Sequence, residues 1–264
     1  MSMPTLQLCL EIFVLASLLL NGAIILAIFK FRRSNPYLKG SYFTLIIFHA
    51  SADLFLAIEF TILMRLRKYR YLDFILYEGS PLWVVLPRVT NGLHYYLKAL
   101  VYNGHILLAL NRFTSACYHV NYETFWASKF MTMVRVMAWI VPSAFILPVV
   151  LNLNYKMWYT ISSSGTLRLE SDDVPTQLQS YMDGSLSLSA TVTCLVFYSL
   201  TGCIISRQMI KNGMQPSYSI EIRLFISSFA IFSLLSLNTI CQVWTIVASK
   251  RGEEDVVMTL NDIR

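Results

Sequence analysis

Six stretches of this chain are long, apolar and almost free of charge, and that partition limits its possible folds more than any other feature. They cover residues 12–29, 41–64, 89–110, 136–153, 184–206 and 224–249. The hydrocarbon core of a bilayer takes about 20 apolar residues of helix, and an unpaired charge there costs about 3 kcal/mol or more. Of 21 basic and 15 acidic residues, only Asp53, Glu59 and Lys98 fall inside the six stretches. The runs are continuous, not ten-residue alternations of polar and apolar side chains, so helices are implied and a membrane barrel is excluded. The expected fold is all-α: a polytopic transmembrane helical bundle, residues 1–264 forming one membrane domain. Composition excludes the other classes. Only 14% of residues are charged, too few for an ordinary soluble globule, and 14% are aromatic, too many for a disordered chain.

The first stretch has no basic residue before it and is longer than a signal-peptide core, so it reads as a retained span. Residues 154–183 are polar and partly acidic (Glu170, Asp172, Asp173) and read as an outer loop, and residues 250–264 as an outer tail. Cys9, Cys117, Cys194, Cys203 and Cys241 lie in or beside spans, so no disulfide pair is proposed. Orientation rests on charge. Over all loops the basic residues divide evenly, because Arg65, Arg67, Lys68 and Arg70 cluster after the second span. The first span has Lys30, Arg32, Arg33 and Lys39 after it and none before, which favours the amino terminus outside. The net charge of +6 then lines membrane edges, with the lipid bilayer as partner and no call for nucleic acid.

The chain has no G-x-S-x-G, Walker-type, C-x-x-C or H-E-x-x-H run, so no enzyme and no cofactor are expected. Intramembrane polar residues are the functional candidates. In the third span Lys98, Tyr102, His105, Ala109 and Arg112 recur at helical spacing on one face. Lys98 precedes Arg112 by about 21 Å along the axis, and in depth it falls between Asp53 and Glu59, about 18 and 27 Å from the inner end of the second span. Lys98 is expected to pair with one of these acids, the alternatives being outward snorkelling or protonated carboxyls. His49, His94 and His105 stand singly on separate turns and read as packing residues, with no metal site. Tyr95, Tyr96, Trp158 and Tyr159 read as an aromatic belt.

At the end of the third span the chain reads Leu110-Asn111-Arg112-Phe113-Thr114, then His119-Val120-Asn121-Tyr122-Glu123-Thr124-Phe125-Trp126. This resembles the nematode serpentine chemoreceptors, class V of the gamma superfamily, in which an Asn-Arg-Phe-Thr run stands where rhodopsin-like receptors have Asp-Arg-Tyr. The likeness continues in Ser217 to Phe225 and in Leu260-Asn261-Asp262-Ile263-Arg264. It implies a G-protein-coupled chemosensory receptor in the plasma membrane of sensory cells, detecting an external small molecule and engaging a heterotrimeric G protein. By that likeness Asn111, Arg112 and Phe113 form the activation switch. Asn21 and Asp53 are the polar network of the first two helices, and Trp139 is the fourth-helix tryptophan. Glu59, His94 and Lys98 are the candidate ligand contacts in the outer half of the bundle.

Three departures stand beside this resemblance. No cysteine is placed to make the disulfide common in rhodopsin-like receptors, and the fifth and sixth spans lack proline. The family has seven helices where this chain shows six, as if cut before the seventh. A six-helix transporter or channel subunit, and a non-signalling truncated receptor product, are the competing readings.

Overall fold

A computed structural model describes residues 5–118, 121–162 and 165–212, together with separate helical positions from 222 to 244. The described elements are α1 (Thr5–Phe31), a 3-10 turn (Pro36–Lys39), α2 (Ser41–Glu59) continued by a π-helical segment (Phe60–Leu66), α3 (Pro81–Cys117), the short α4 (Tyr122–Ala127), α5 (Lys129–Leu151), strands β1 (Met157–Ile161) and β2 (Leu167–Ser171), and α6 (Asp173–Asn212). The expected all-α bundle is present, with one addition. Residues expected to form an outer loop hold an antiparallel hairpin, in which Met157 pairs with Ser171 and Ile161 with Leu167. The expected tail, the Leu260 to Arg264 run and most of the sixth span lie outside the described residues.

Local sequence accounts for the helix starts. Ser80 accepts the Trp83 amide at 3.2 Å and Pro81 opens α3, a serine cap followed by a residue whose missing N–H is not needed there. Asp173 and Pro175 stand in the first turn of α6, where an acid suits the helix dipole and proline is tolerated. The helix thus starts eleven residues before the fifth apolar stretch, and its first turns are polar.

Among the described residues, α1 (Val14–Phe31), α2 with its π-helical segment (Ser41–Leu66), α5 (Lys129–Leu151) and α6 (Asp173–Ile210) are long and apolar enough to cross a bilayer. Their large outward side chains, Leu19, Leu26, Ile140 and Val192 among them, are exposed as lipid-facing residues must be. α3 has 37 residues but is less apolar, since Thr90, Asn91, His94, Lys98, Asn103, His105, Asn111 and Arg112 all lie along it.

The chain divides into two compact units. The first comprises Met1–Lys39, Ile47–Val101 and Arg135–Asp183; the second comprises Gly40–Ile46, Tyr102–Val134 and Gly184–Arg264. In the first, Ala52, Leu97 and Leu100 pack with Leu56, Tyr96 and Trp139, while Leu76, Tyr159 and Leu167 pack with Trp83 and Leu86. In the second, Tyr102, Ala109, Ala190, Cys194, Tyr198 and Phe232 form the core.

Gly92 marks a close approach of α3 to α5 in the first unit. A Cβ at this position would stand 2.5 Å from Val150 Cγ2, a methyl on a β-branched side chain that has little rotamer freedom in a helix. Gly92→Ala is therefore expected to destabilise the protein by about 1–3 kcal/mol. Thermal unfolding of the purified protein checks this, and Gly92→Ala/Val150→Ala should recover most of the loss.

Candidate functional site

In the first unit α3 is a polar hub. Asn91 donates through Nδ2 to Gln179 Oε1 on α6 at 2.8 Å and touches the Met157 sulfur on β1 at 3.5 Å. Three residues on, His94 Nδ1 meets Glu59 Oε2 at 3.0 Å. One turn further, the Lys98 ammonium donates to Asp183 Oδ2 on α6 at 2.5 Å. Positions 91, 94 and 98 share one stripe of α3, which is why a single helix can reach both α2 and α6. Arg88, one turn earlier, donates to the carbonyls of Val150, Asn152 and Tyr155, a cation set where the C-terminal dipole of α5 and its unpaired carbonyls want one.

These contacts correct the expected pairing of Lys98. Its ammonium meets Asp183, while Glu59 is joined to His94 and Asp53 to His49 at 3.5 Å. The expectation used depth alone; the partner is decided by the direction of the α3 stripe and by the early start of α6, which carries Asp183 as a helical residue. Asn21 and Asp53 each take a partner within their own helix. Asn21 bonds to Ser17 within α1 at 3.4 Å, and Asp53 pairs one turn back along α2, because a local i, i+4 partner lies within reach of each.

The π-helical segment after Glu59 shapes the rest of the cluster. An i→i+5 turn shifts the side-chain phase, and both Arg65 and Arg67 are buried, as an ordinary helix would not readily place residues two apart. The Arg65 guanidinium lies 4.9 Å from the Phe60 ring centre, and the His94 imidazole stacks on the same ring at 6.2 Å. Arg67 donates to the Leu63 carbonyl at 2.7 Å and lies 4.9 Å from the centre of the Tyr159 ring. Burial pulls the Arg67 pKa below its usual value, opposed by Tyr159 and Glu59; burial pushes the Tyr159 phenol up, opposed by Thr90 and Arg67. Tyr159 is therefore not part of an aromatic belt. Strand alternation turns it inward and its neighbour Trp158 outward.

The second unit holds the Asn111-Arg112-Phe113 run. Arg112 is buried with its guanidinium 3.5 Å from the centre of the Tyr42 ring. Asn111 bonds the Tyr122 hydroxyl at 2.5 Å, and Phe113 packs on Phe197 of α6. Helix α4 is fastened at three points. Besides Tyr122, Trp126 Nε1 donates to Thr114 at 2.8 Å, and the Glu123 carboxylate accepts from the Ser41 hydroxyl at 2.8 Å and from the Ser41 amide at 3.3 Å. Adjacent residues at the start of α2, Ser41 and Tyr42, are thus gripped by Glu123 and Arg112. Sequence reasoning found Arg112 but missed Tyr42 and Glu123, which are legible only as a helix-start serine and an acid one loop away.

Apolar helices wrapped around buried, paired polar side chains define a multi-pass helical membrane protein. The chain belongs to the Srg family of chemoreceptors, whose family model matches residues 7–263. It is also 23% identical over 230 residues to Serpentine receptor class V-1 of Caenorhabditis elegans, a match that takes in 87% of this chain and 72% of that protein. Membership in a chemoreceptor family implies a receptor.

Proposed function

We propose that the protein is a G-protein-coupled chemosensory receptor that binds a small external molecule at the α3 hub of the first unit and signals through Asn111, Arg112 and Phe113 in the second. The transporter or channel alternative is not favoured by the family. The observation that carries this reading is the grip on the start of α2. A guanidinium stacked on an aromatic ring can exchange that partner for another at modest cost, and Glu123 on Ser41 holds the same turn in one of two arrangements. Glu59, His94 and Lys98 supply the ligand contacts. Each joins α3 to another helix, so a ligand that replaces one of their partners acts on helix packing directly. Asp53 and Asn21, each bonded within its own helix, serve the helices that carry them.

For orientation we propose the amino terminus outside. The basic cluster that balances the charge count is largely structural: Arg65 and Arg67 are buried, and Arg70 pairs with Asp73 at 2.6 Å. The first-span asymmetry then decides, and a plasma-membrane receptor of sensory cells is the matching setting.

The test is a G-protein dissociation assay in cells expressing the full chain. Glu123→Gln weakens the hold on Ser41 and is expected to raise the ligand-free signal by roughly five- to tenfold, the population shift that about 1–1.4 kcal/mol brings. Arg112→Ala should remove that signal at equal surface expression. A signal unchanged by both substitutions rejects the reading.

A further inference from the structure

Under the hairpin, the first unit buries more hydrogen-bonding capacity than it uses. Thr90, Tyr159, Gln179 and Glu59 are each at most 5% exposed. The Thr90 and Tyr159 hydroxyls, Gln179 Nε2 and Glu59 Oε1 nevertheless make no hydrogen bond among the described residues. Buried polar atoms are normally satisfied, so several orphans in one place point to a polar guest. They do share one place. The Thr90 hydroxyl lies near enough to the Tyr159 phenol to influence its ionisation without a formed bond. Met157, on the same face of β1 as Tyr159, touches Asn91, which bonds Gln179.

Arg67 gives the cluster its charge character. Among the described residues its contacts are the carbonyls of Leu63 and Leu167, the Met64 sulfur and the Tyr159 ring, with no carboxylate in hydrogen-bonding distance. A guanidinium has five N–H donors, and these neighbours leave some of them unused. Arg67 is itself buried, and the Tyr159 ring beneath its guanidinium ties it to the orphaned donors. The free donors of Arg67 and Gln179, with two hydroxyls that can donate, ask for an anionic acceptor. A carboxylate matches the planar guanidinium with two parallel hydrogen bonds. Glu59 Oε1 asks for a donor, such as a hydroxyl, on the same guest.

We propose that Arg67, Gln179, Thr90 and Tyr159 form the recognition site for the carboxylate group of a small-molecule ligand. Arg67 is the charge partner and the other three are neutral donors. This rests on the receptor reading only in taking that molecule to be the one the receptor reports.

The experiment uses the full chain purified in detergent micelles, with thermal unfolding followed in the presence of straight-chain carboxylates from acetate to octanoate. Their methyl esters control for insertion into the micelle, and chloride and phosphate control for any small anion. At least one carboxylate is expected to raise Tm where its ester and the inorganic anions do not. Gln179→Glu keeps the oxygen that accepts from Asn91 and replaces the Nε2 donor with a second carboxylate oxygen. The quantity compared is the carboxylate-induced rise above each variant's own unliganded Tm, and in Gln179→Glu it should correspond to binding weakened about tenfold or more; Thr90→Val, of similar shape, should weaken it by less. Stabilisation by esters or inorganic anions as large as that by carboxylates overturns the proposal. So does an undiminished carboxylate response in Gln179→Glu. Carboxylate-specific stabilisation with a silent G-protein assay keeps this site and removes the receptor reading, while a G-protein response driven only by uncharged ligands does the reverse.

Discussion

Lys98→Met is expected to destabilise the protein by about 3–5 kcal/mol and to deplete it from the cell surface. Methionine matches the length and apolar stem of lysine, so the loss is one of charge and hydrogen bonding with little change of volume. Asp183 is left without its ammonium in a setting where its side chain is 7% exposed and that of Lys98 only 14%. A carboxylate that loses its ammonium in so dry a setting is poorly solvated, which is the source of the loss. Replacing both partners, Lys98→Met with Asp183→Leu, removes the charge problem altogether and should recover most of the stability, since a buried ion pair is often no better than apolar residues of similar volume. Thermal unfolding of the two single variants and the double variant forms a cycle that isolates the pair. A double variant no more stable than Lys98→Met alone would show that Lys98 does not act through Asp183.

That pair also shows where sequence reasoning reaches and where it stops. The apolar partition determines the class because a charge in hydrocarbon is so unfavourable that the six stretches could hardly mean anything else. The stripe along α3 was equally legible: Tyr102, Ala109 and Arg112 recur at helical spacing and all three are buried. Asp183 was missed because hydropathy sees where a helix is apolar and not where it begins. Asp173 and Pro175 carry the helix-start signal eleven residues upstream, yet the polar first turns of α6 resemble a loop in composition. The burial of Arg65 and Arg67 was not foreseen, for a different reason. Their burial depends on a π-helical segment, and no periodicity in Phe60 to Leu66 announces a change from 3.6 residues per turn. The inward turn of Tyr159 needed the parity of a hairpin that contains only five residues per strand. Glu59 and His94 were both named as ligand contacts, and only the fold makes them one pair.

Trp126→Ala is expected to act as strongly on the second unit, with a loss of about 3–5 kcal/mol locally and of nearly all coupling. Trp126 is fully buried although it belongs to a helix of only six residues, so it contributes more apolar contact than any other side chain of α4. A helix that short has no stability of its own. It persists through Trp126 in its pocket, the indole bond to Thr114, Tyr122 on Asn111 and Glu123 on Ser41. Trp126→Ala removes the first two of these, and the remaining two are polar contacts that water can replace once α4 loosens. Ser41 and Tyr42 then lose the carboxylate that fixes their turn, and Arg112 loses a defined ring to rest on. Trp126→Phe separates the contributions. It keeps most of the packing and gives up the bond to Thr114, so it should cost about 1–2 kcal/mol and leave most of the signal. Hydrogen exchange across residues 121–128 reads the loosening directly, and the G-protein assay reads its consequence. Strong coupling in Trp126→Ala with rapid exchange in this segment would mean that the anchored α4 is not needed for signalling, and the switch would then have to lie in α3 alone.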